Sequence, residues 1–205
     1  MENIEYIPWS KAIKLCYKLA EKILDSKYVP DTIIAVLRGG AIPALIISDY
    51  LGVEEFYGMR VKHWGIASKK LDKPVILQMP ENLKHKKLLI VDEVADTGLT
   101  LKTIIEELKK QKPQDIKTAV LHVKPTTKYM PDYYVEYLKE WRWIFYPWSV
   151  SETLSSLARR GSSIRDLDKI YDKVRELARS FNIVEPDIKV ILKSIKTYIE
   201  KYKNI

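Results

Sequence analysis

The chain of 205 residues has one cysteine, Cys16, and no apolar run near the ~20 residues needed to cross a bilayer. A lone cysteine excludes an internal disulfide framework and a multi-cysteine zinc site, and it suits a reducing cytosol. The first ten residues lack the apolar core of a signal peptide. A soluble, cytoplasmic protein without a membrane partner is therefore expected. A charged tail is also missing. The net charge is +8, and residues after 150 carry half of it. A nucleic-acid-binding arm would be more lopsided, whereas an even excess of Lys and Arg suits a small anionic ligand.

Hydrophobic residues make up 46% and charged residues 30%, the composition of a globule, and the length suits one domain with an appendage. Trp9–Ser26 has Ile13, Cys16, Leu19, Ala20, Ile23 and Leu24 at helical spacing. Thr32–Leu37 is a β-branched run without alternation, as in a strand covered on both faces. Arg38-Gly39-Gly40 breaks it, and a helix over Ala41–Leu51 closes at Gly52. Strands are expected at Glu55–Val61, Pro74–Met79, Lys87–Val91, Thr118–Val123 and Trp141–Tyr146, with a helix over Thr97–Gln111. The polar stretch His63–Asp72 reads as a loop. Strands alternating with helices imply an α/β fold with a doubly wound, mostly parallel sheet. After Pro147-Trp148 only helical patterns remain, at Glu152–Arg159, Ile164–Phe181 and Pro186–Lys203, with Ser151, Ser163 and Asn182 as caps and Pro186 in a first turn.

The segment that carries chemistry is Leu88–Leu101. A buried strand delivers Asp92 and Glu93 to its carboxyl end, and Asp96, a Thr97-Gly98-Leu99-Thr100 turn and a helix follow. In open α/β sheets ligands bind outside the carboxyl ends of the strands. The turn points backbone N–H groups and two hydroxyls at one anion, but it lacks the lysine of a P-loop. The paired acids stand where adjacent sugar hydroxyls or Mg²⁺ would lie, so a phosphorylated ribose is the expected ligand.

On this segment the sequence resembles the type I phosphoribosyltransferases, whose signature for phosphoribosyl pyrophosphate (PRPP) is an apolar strand, two acids, two apolar residues and Asp-Thr-Gly-x-Thr. Val36–Pro43 is similar to the family's pyrophosphate loop, in which the peptide before the position of Arg38 is often cis. The resemblance implies the type I phosphoribosyltransferase fold, a mostly parallel central sheet flanked by helices. To this the chain adds a C-terminal three-helix appendage, which gives domains at 1–148 and 149–205. It also implies Mg²⁺ held by Asp92 and Glu93, partly through PRPP. PRPP contacts fall on Leu37, Arg38, Gly39, Asp92, Glu93, Ala95, Asp96, Thr97, Gly98, Leu99 and Thr100, with Lys70 or Lys73 reaching pyrophosphate. Asp96 takes the acid/base role at purine N7 and Arg38 assists the leaving pyrophosphate. The segment His63–Asp72 is a candidate lid over the site.

Val123-Lys124-Pro125, Trp143-Ile144 and Pro147-Trp148 are similar to the 6-oxopurine branch. That places Lys124 at the exocyclic oxygen, Trp143 stacked on the base and the Ile144 carbonyl at its edge, with Trp141 and Trp148 competing for the stacking role. Ser149 replaces an acid that the branch often has, and the extra C-terminal residues resemble the adenine phosphoribosyltransferases of crenarchaea. The expectation is therefore a purine salvage enzyme making AMP and pyrophosphate from adenine and PRPP. A 6-oxopurine enzyme (hypoxanthine, guanine or xanthine, giving the corresponding nucleoside monophosphate) is the alternative. A nucleotide-sensing regulator that binds nucleic acid is the remote one. Related enzymes imply a homodimer.

Overall fold

A computed structural model describes residues 3–64, 70–159 and 167–201, with the side chains of 63–64, 70–73 and 199–201 outside the description. The chain divides into two compact units, Ile13–Arg142 and Met1–Ala12 with Trp143–Ile205. Its elements in chain order are β1 (Ile4–Tyr6), α1 (Trp9–Asp25), β2 (Thr32–Leu37), α2 (Ala41–Leu51), β3 (Glu55–Trp64), β4 (Lys70–Gln78), β5 (Lys87–Ala95), α3 (Leu99–Leu108), β6 (Asp115–Val123), β7 (Tyr133–Tyr137), β8 (Trp143–Phe145), α4 (Val150–Arg159), α5 (Leu167–Ser180) and α6 (Ile188–Lys201).

The larger unit holds a six-stranded sheet in the order β4-β3-β2-β5-β6-β7. All neighbouring pairs are parallel except β3–β4. Ile33, Ile34 and Ala35 on β2 and Leu88 to Val91 on β5 are all fully buried, so both faces of the central strands are covered. On one face Ile34, Val36, Met59, Leu88, Ile90 and Val120 pack with Leu101, Ile104, Ile105 and Leu108 of α3. Against the central strands α2 also packs, on β2 and β5. Each such Ile or Leu contributes at most about 1.5–3 kcal/mol by leaving water, and truncating one to Ala costs about 2–5 kcal/mol.

Several elements differ from the sequence expectation. In α1 the buried stripe runs through Leu15, Cys16, Leu19, Ala20 and Ile23, while Leu24 is half exposed. Burial pushes the Cys16 thiol up to about 12, which leaves it an inert core residue. β3 and β4 extend to Trp64 and Lys70 and pair there, so the described flanks of the expected 63–72 loop are strand. Residues 65–69 of that loop lie outside the described residues. α3 starts at Leu99 rather than Thr97 because Gly98 sits at φ +76, and its last turn tightens to a 3-10 turn at Lys109–Gln111. β7 was not expected.

In the smaller unit β8 is shorter than expected and pairs in parallel with β1 instead of joining the main sheet. Phe145, Val150, Leu154, Ala158, Ile170, Val174, Ala178, Ile191 and Ile195 form the core that joins α4, α5 and α6. Ser151 lies inside α4, where its Oγ accepts from Ser194 at 2.7 Å. Asn182, at φ +52, closes α5. Pro186 follows a cis peptide and precedes the turn in which Asp187 accepts the Lys189 N–H at 2.7 Å, so it is outside α6. Ser163 and Ile164 lie outside the described residues. No helix among the described residues is long and apolar enough to cross a membrane.

Candidate functional site

The larger unit's sheet runs to β3 on one side of β2 and through β5, β6 and β7 on the other, so its connections diverge between β2 and β5. That is the topological switch point at which open α/β sheets bind ligands. The parallel register places the carboxyl ends together. Ala35 pairs with Val91, Leu37 with Arg60, and Ala95 with Val123. Arg38, Asp92, Glu93, Asp96 and Lys124 therefore leave adjacent strands at one edge.

The loop after β2 is built for close approach. The Leu37–Arg38 peptide is cis, in keeping with the family resemblance. The Gly40 N–H donates to the Val36 carbonyl at 2.8 Å. A Cβ at Gly40 would collide with the Val91 and Val36 carbonyl oxygens, and one at Gly39 would land on the Glu93 carboxylate. Glycine at both positions lets this loop lie against the paired acids. Asp92 accepts the Glu93 N–H at 2.8 Å. Burial holds the Asp92 carboxyl well above the usual range, the neighbouring Glu93 charge adds to this, and the Glu93 N–H draws it partly back.

The turn after β5 is fixed by the chain that follows β6. The Lys124 N–H donates to the Ala95 carbonyl at 2.9 Å and the Lys128 N–H to the Thr97 carbonyl at 3.0 Å. Thr127 Oγ1 donates to the carbonyls of Ala95 at 2.8 Å and Asp96 at 2.6 Å. The Asp96 carboxylate is held at both oxygens, by Thr126 Oγ1 on Oδ1 at 2.8 Å and by Lys124 Nζ on Oδ2 at 3.3 Å. Gly98 needs its positive φ, and a Cβ there would strike the Tyr129 backbone. Thr97 Oγ1 accepts the Leu99 N–H at 3.4 Å, and the first turn of α3 faces the same edge.

Lys124 is nearly sealed, with 5% of its side chain exposed. Burial lowers its pKa, while the Asp96 charge and hydrogen bond raise it. Its Nζ lies 4.8 Å from the centre of the Trp141 ring. Thr126 and Thr127 are not among the residues the sequence motifs single out, and Trp141 has only a competing place there. The only hint was a Lys-Pro-Thr-Thr run following a buried strand.

The structure thus gathers Leu37 to Gly39, Asp92 to Thr100 and Lys124 in one unit. Lys70 and Lys73 have their backbone in β4, but their side chains lie outside the described ones. Trp143 and Ile144 belong to β8 in the smaller unit, where Trp143 packs against the helical core and Ile144 is buried. Ser149 donates its hydroxyl to the Tyr146 carbonyl at 3.0 Å and accepts the Tyr146 N–H at 3.3 Å, closing a turn that an ionised acid could only half complete.

Residues 4–153 match the family model of the phosphoribosyl transferase domain. A xanthine-guanine phosphoribosyltransferase from Idiomarina loihiensis is 28% identical over 71% of this chain and 86% of its own length. Xanthine phosphoribosyltransferase 1 from Saccharomyces cerevisiae is 29% identical over 72% of this chain and 90% of its own. A solved purine phosphoribosyltransferase from Pyrococcus horikoshii is 41% identical, with a TM-score of 0.61, covering 71% of this chain and 94% of that one. The chain belongs to the phosphoribosyl transferase domain family and is a phosphoribosyltransferase with the type I fold.

Proposed function

We propose that the chain transfers the phosphoribosyl group of PRPP to a 6-oxopurine, releasing pyrophosphate. The observation that carries this reading is the Lys124–Asp96 pair, with Nζ and Oδ2 3.3 Å apart at one strand edge. A 6-oxopurine presents adjacent O6 and N7 along one edge. A lysine donor beside a carboxylate acceptor complements that edge once N7 carries a proton. Adenine offers an amino donor in place of O6 and would meet the Lys124 donor, a mismatch costing about 1–3 kcal/mol. The relatives named for xanthine and guanine support the same preference, so the proposal takes the 6-oxopurine alternative over the adenine expectation.

As the bond from C1 to pyrophosphate breaks, the ribose becomes oxocarbenium-like and negative charge gathers on the leaving group. Arg38 and the Gly39 N–H would stabilise that charge. Asp92 and Glu93 would grip the ribose hydroxyls, and the turn Ala95–Thr100 would cradle the 5′-phosphate. As purine N9 forms its bond to C1, Asp96 would take the N7 proton while Lys124 holds O6. The acid pair also fits Mg²⁺: Asp92 carries a destabilised charge beside Glu93 that a hard cation would relieve. Among the described residues no group of three or more His, Cys, Asp or Glu side chains could hold a metal, so PRPP oxygens and water would complete the shell. When bound, the ion neutralises phosphate charge.

The test is pyrophosphate release with PRPP, Mg²⁺ and one base at a time. Turnover with hypoxanthine, guanine or xanthine supports the reading, and turnover with adenine alone refutes it.

A further inference from the structure

The Trp141 ring has no part in the proposed chemistry, yet it lies against Lys124, a buried lysine of the site. The chain after β7 is pinned to the end of β6 by the Leu138 N–H, which donates to the Val123 carbonyl at 2.9 Å. Leu138 is itself buried, and three residues later Trp141 lays its ring over Nζ of Lys124. Trp141 remains 43% exposed, so core packing is a poor account of its position.

The ion pair that it flanks is long. Charge-assisted N–H···O bonds close to about 2.7–2.9 Å, whereas Lys124 Nζ stands 3.3 Å from Asp96 Oδ2. A lysine head is a point charge on a flexible stem with rotating donors. The Trp141 face, 4.8 Å from Nζ, attracts the same ammonium that Asp96 attracts. Two attractions thus share the ammonium, and at 3.3 Å it has not closed onto Asp96.

We infer that Trp141 is a positioning residue that sets base specificity: its ring holds the Lys124 ammonium apart from Asp96, so that a base oxygen is accepted where a base amino group is not. This rests on the 6-oxopurine reading.

The experiment compares wild type, Trp141→Leu and Trp141→Phe, each first checked by thermal melting. kcat/KM is measured for hypoxanthine, guanine and adenine, and KM separately for PRPP. The Leu variant is expected to lose about 3- to 30-fold for the oxopurines, mainly through KM for the base. Its adenine rate and KM for PRPP should stay put, so the oxopurine-to-adenine ratio falls by the same factor. The Phe variant, which keeps a weaker π-face, should recover much of the loss.

An equal loss for all bases would mean that Trp141 merely stacks on the purine or supports the fold, and would overturn the proposal. So would an unchanged ratio. A wild type that turns over adenine alone would overturn both this inference and the base assignment, whereas an oxopurine-using wild type with an unmoved ratio overturns Trp141 only. If Trp141→Leu fails to fold, the same ratio is read from Trp141→Met, which also lacks a π-face, and an unchanged ratio there overturns the proposal.

Discussion

Gly98→Ala isolates the close approach at the heart of the proposed phosphate turn, with Gly52→Ala as its internal control. Both glycines have positive φ, +76 at Gly98 and +65 at Gly52. At Gly52 a Cβ meets nothing within 4 Å, so the methyl adds only backbone strain of about 1 kcal/mol. At Gly98 it would stand 2.5 Å from the Tyr129 carbonyl oxygen, 2.8 Å from Tyr129 Cβ and 2.9 Å from Tyr129 N. Backbone must then move. The Lys128 N–H bond to Thr97 at 3.0 Å and the Thr127 hydroxyl bond to Ala95 at 2.8 Å are the nearest ties to give. Two such bonds at about 1 kcal/mol each, added to the strain, make about 3 kcal/mol. For a chain of this length that is a drop in Tm of about 6–12 °C, against about 2–4 °C for Gly52→Ala. Scanning calorimetry measures both. Because the displaced turn is the proposed phosphate cradle, KM for PRPP should also rise about tenfold or more in Gly98→Ala alone. Equal losses of Tm in the two variants, or an unchanged KM for PRPP at Gly98, would refute the reasoning.

Asp92→Asn should stabilise the protein while stopping catalysis. The folded state holds the Asp92 proton more tightly than the unfolded chain, so its contribution to stability is present at low pH and lost as pH rises through the raised value. The melting-temperature advantage of Asn over Asp should therefore widen from pH 5 to pH 8, and a difference that stays flat contradicts the buried charge. Thr126→Val removes the hydroxyl on Asp96 Oδ1. Stopped assays should show kcat falling about 5- to 10-fold, less than for a fully buried bond to a charge, with rescue by Thr126→Ser and no change in KM for PRPP. Asp96→Asn should lower kcat about 10²- to 10⁴-fold, and unchanged turnover would remove Asp96 from the acid/base role.

The most legible parts of the molecule were local. Thr32–Leu37, Ala41–Leu51 and the Gly52 stop follow from β-branched composition and one left-handed residue, and the structure places them at those bounds. The Asp92–Thr100 spacing was legible because strand, acids, turn and helix are contiguous. What escaped depends on partners far along the chain. β1 is three residues long, too short for any periodicity, and exists through its pairing with Trp143 to Phe145. Thr126 and Thr127 are ordinary loop residues until the β5–β6 register sets them against Ala95 and Asp96, some 30 positions away. Trp141 could not be told from Trp143 or Trp148 by spacing, since only the fold decides which ring meets Lys124.

The central claim is most directly tested by competition. Equimolar hypoxanthine and adenine share one limiting pool of PRPP with Mg²⁺, and the nucleotides formed are quantified by mass spectrometry. The product ratio equals the ratio of kcat/KM values. The Lys124–Asp96 edge predicts inosine monophosphate over AMP by about tenfold or more. A predominance of AMP would contradict the account.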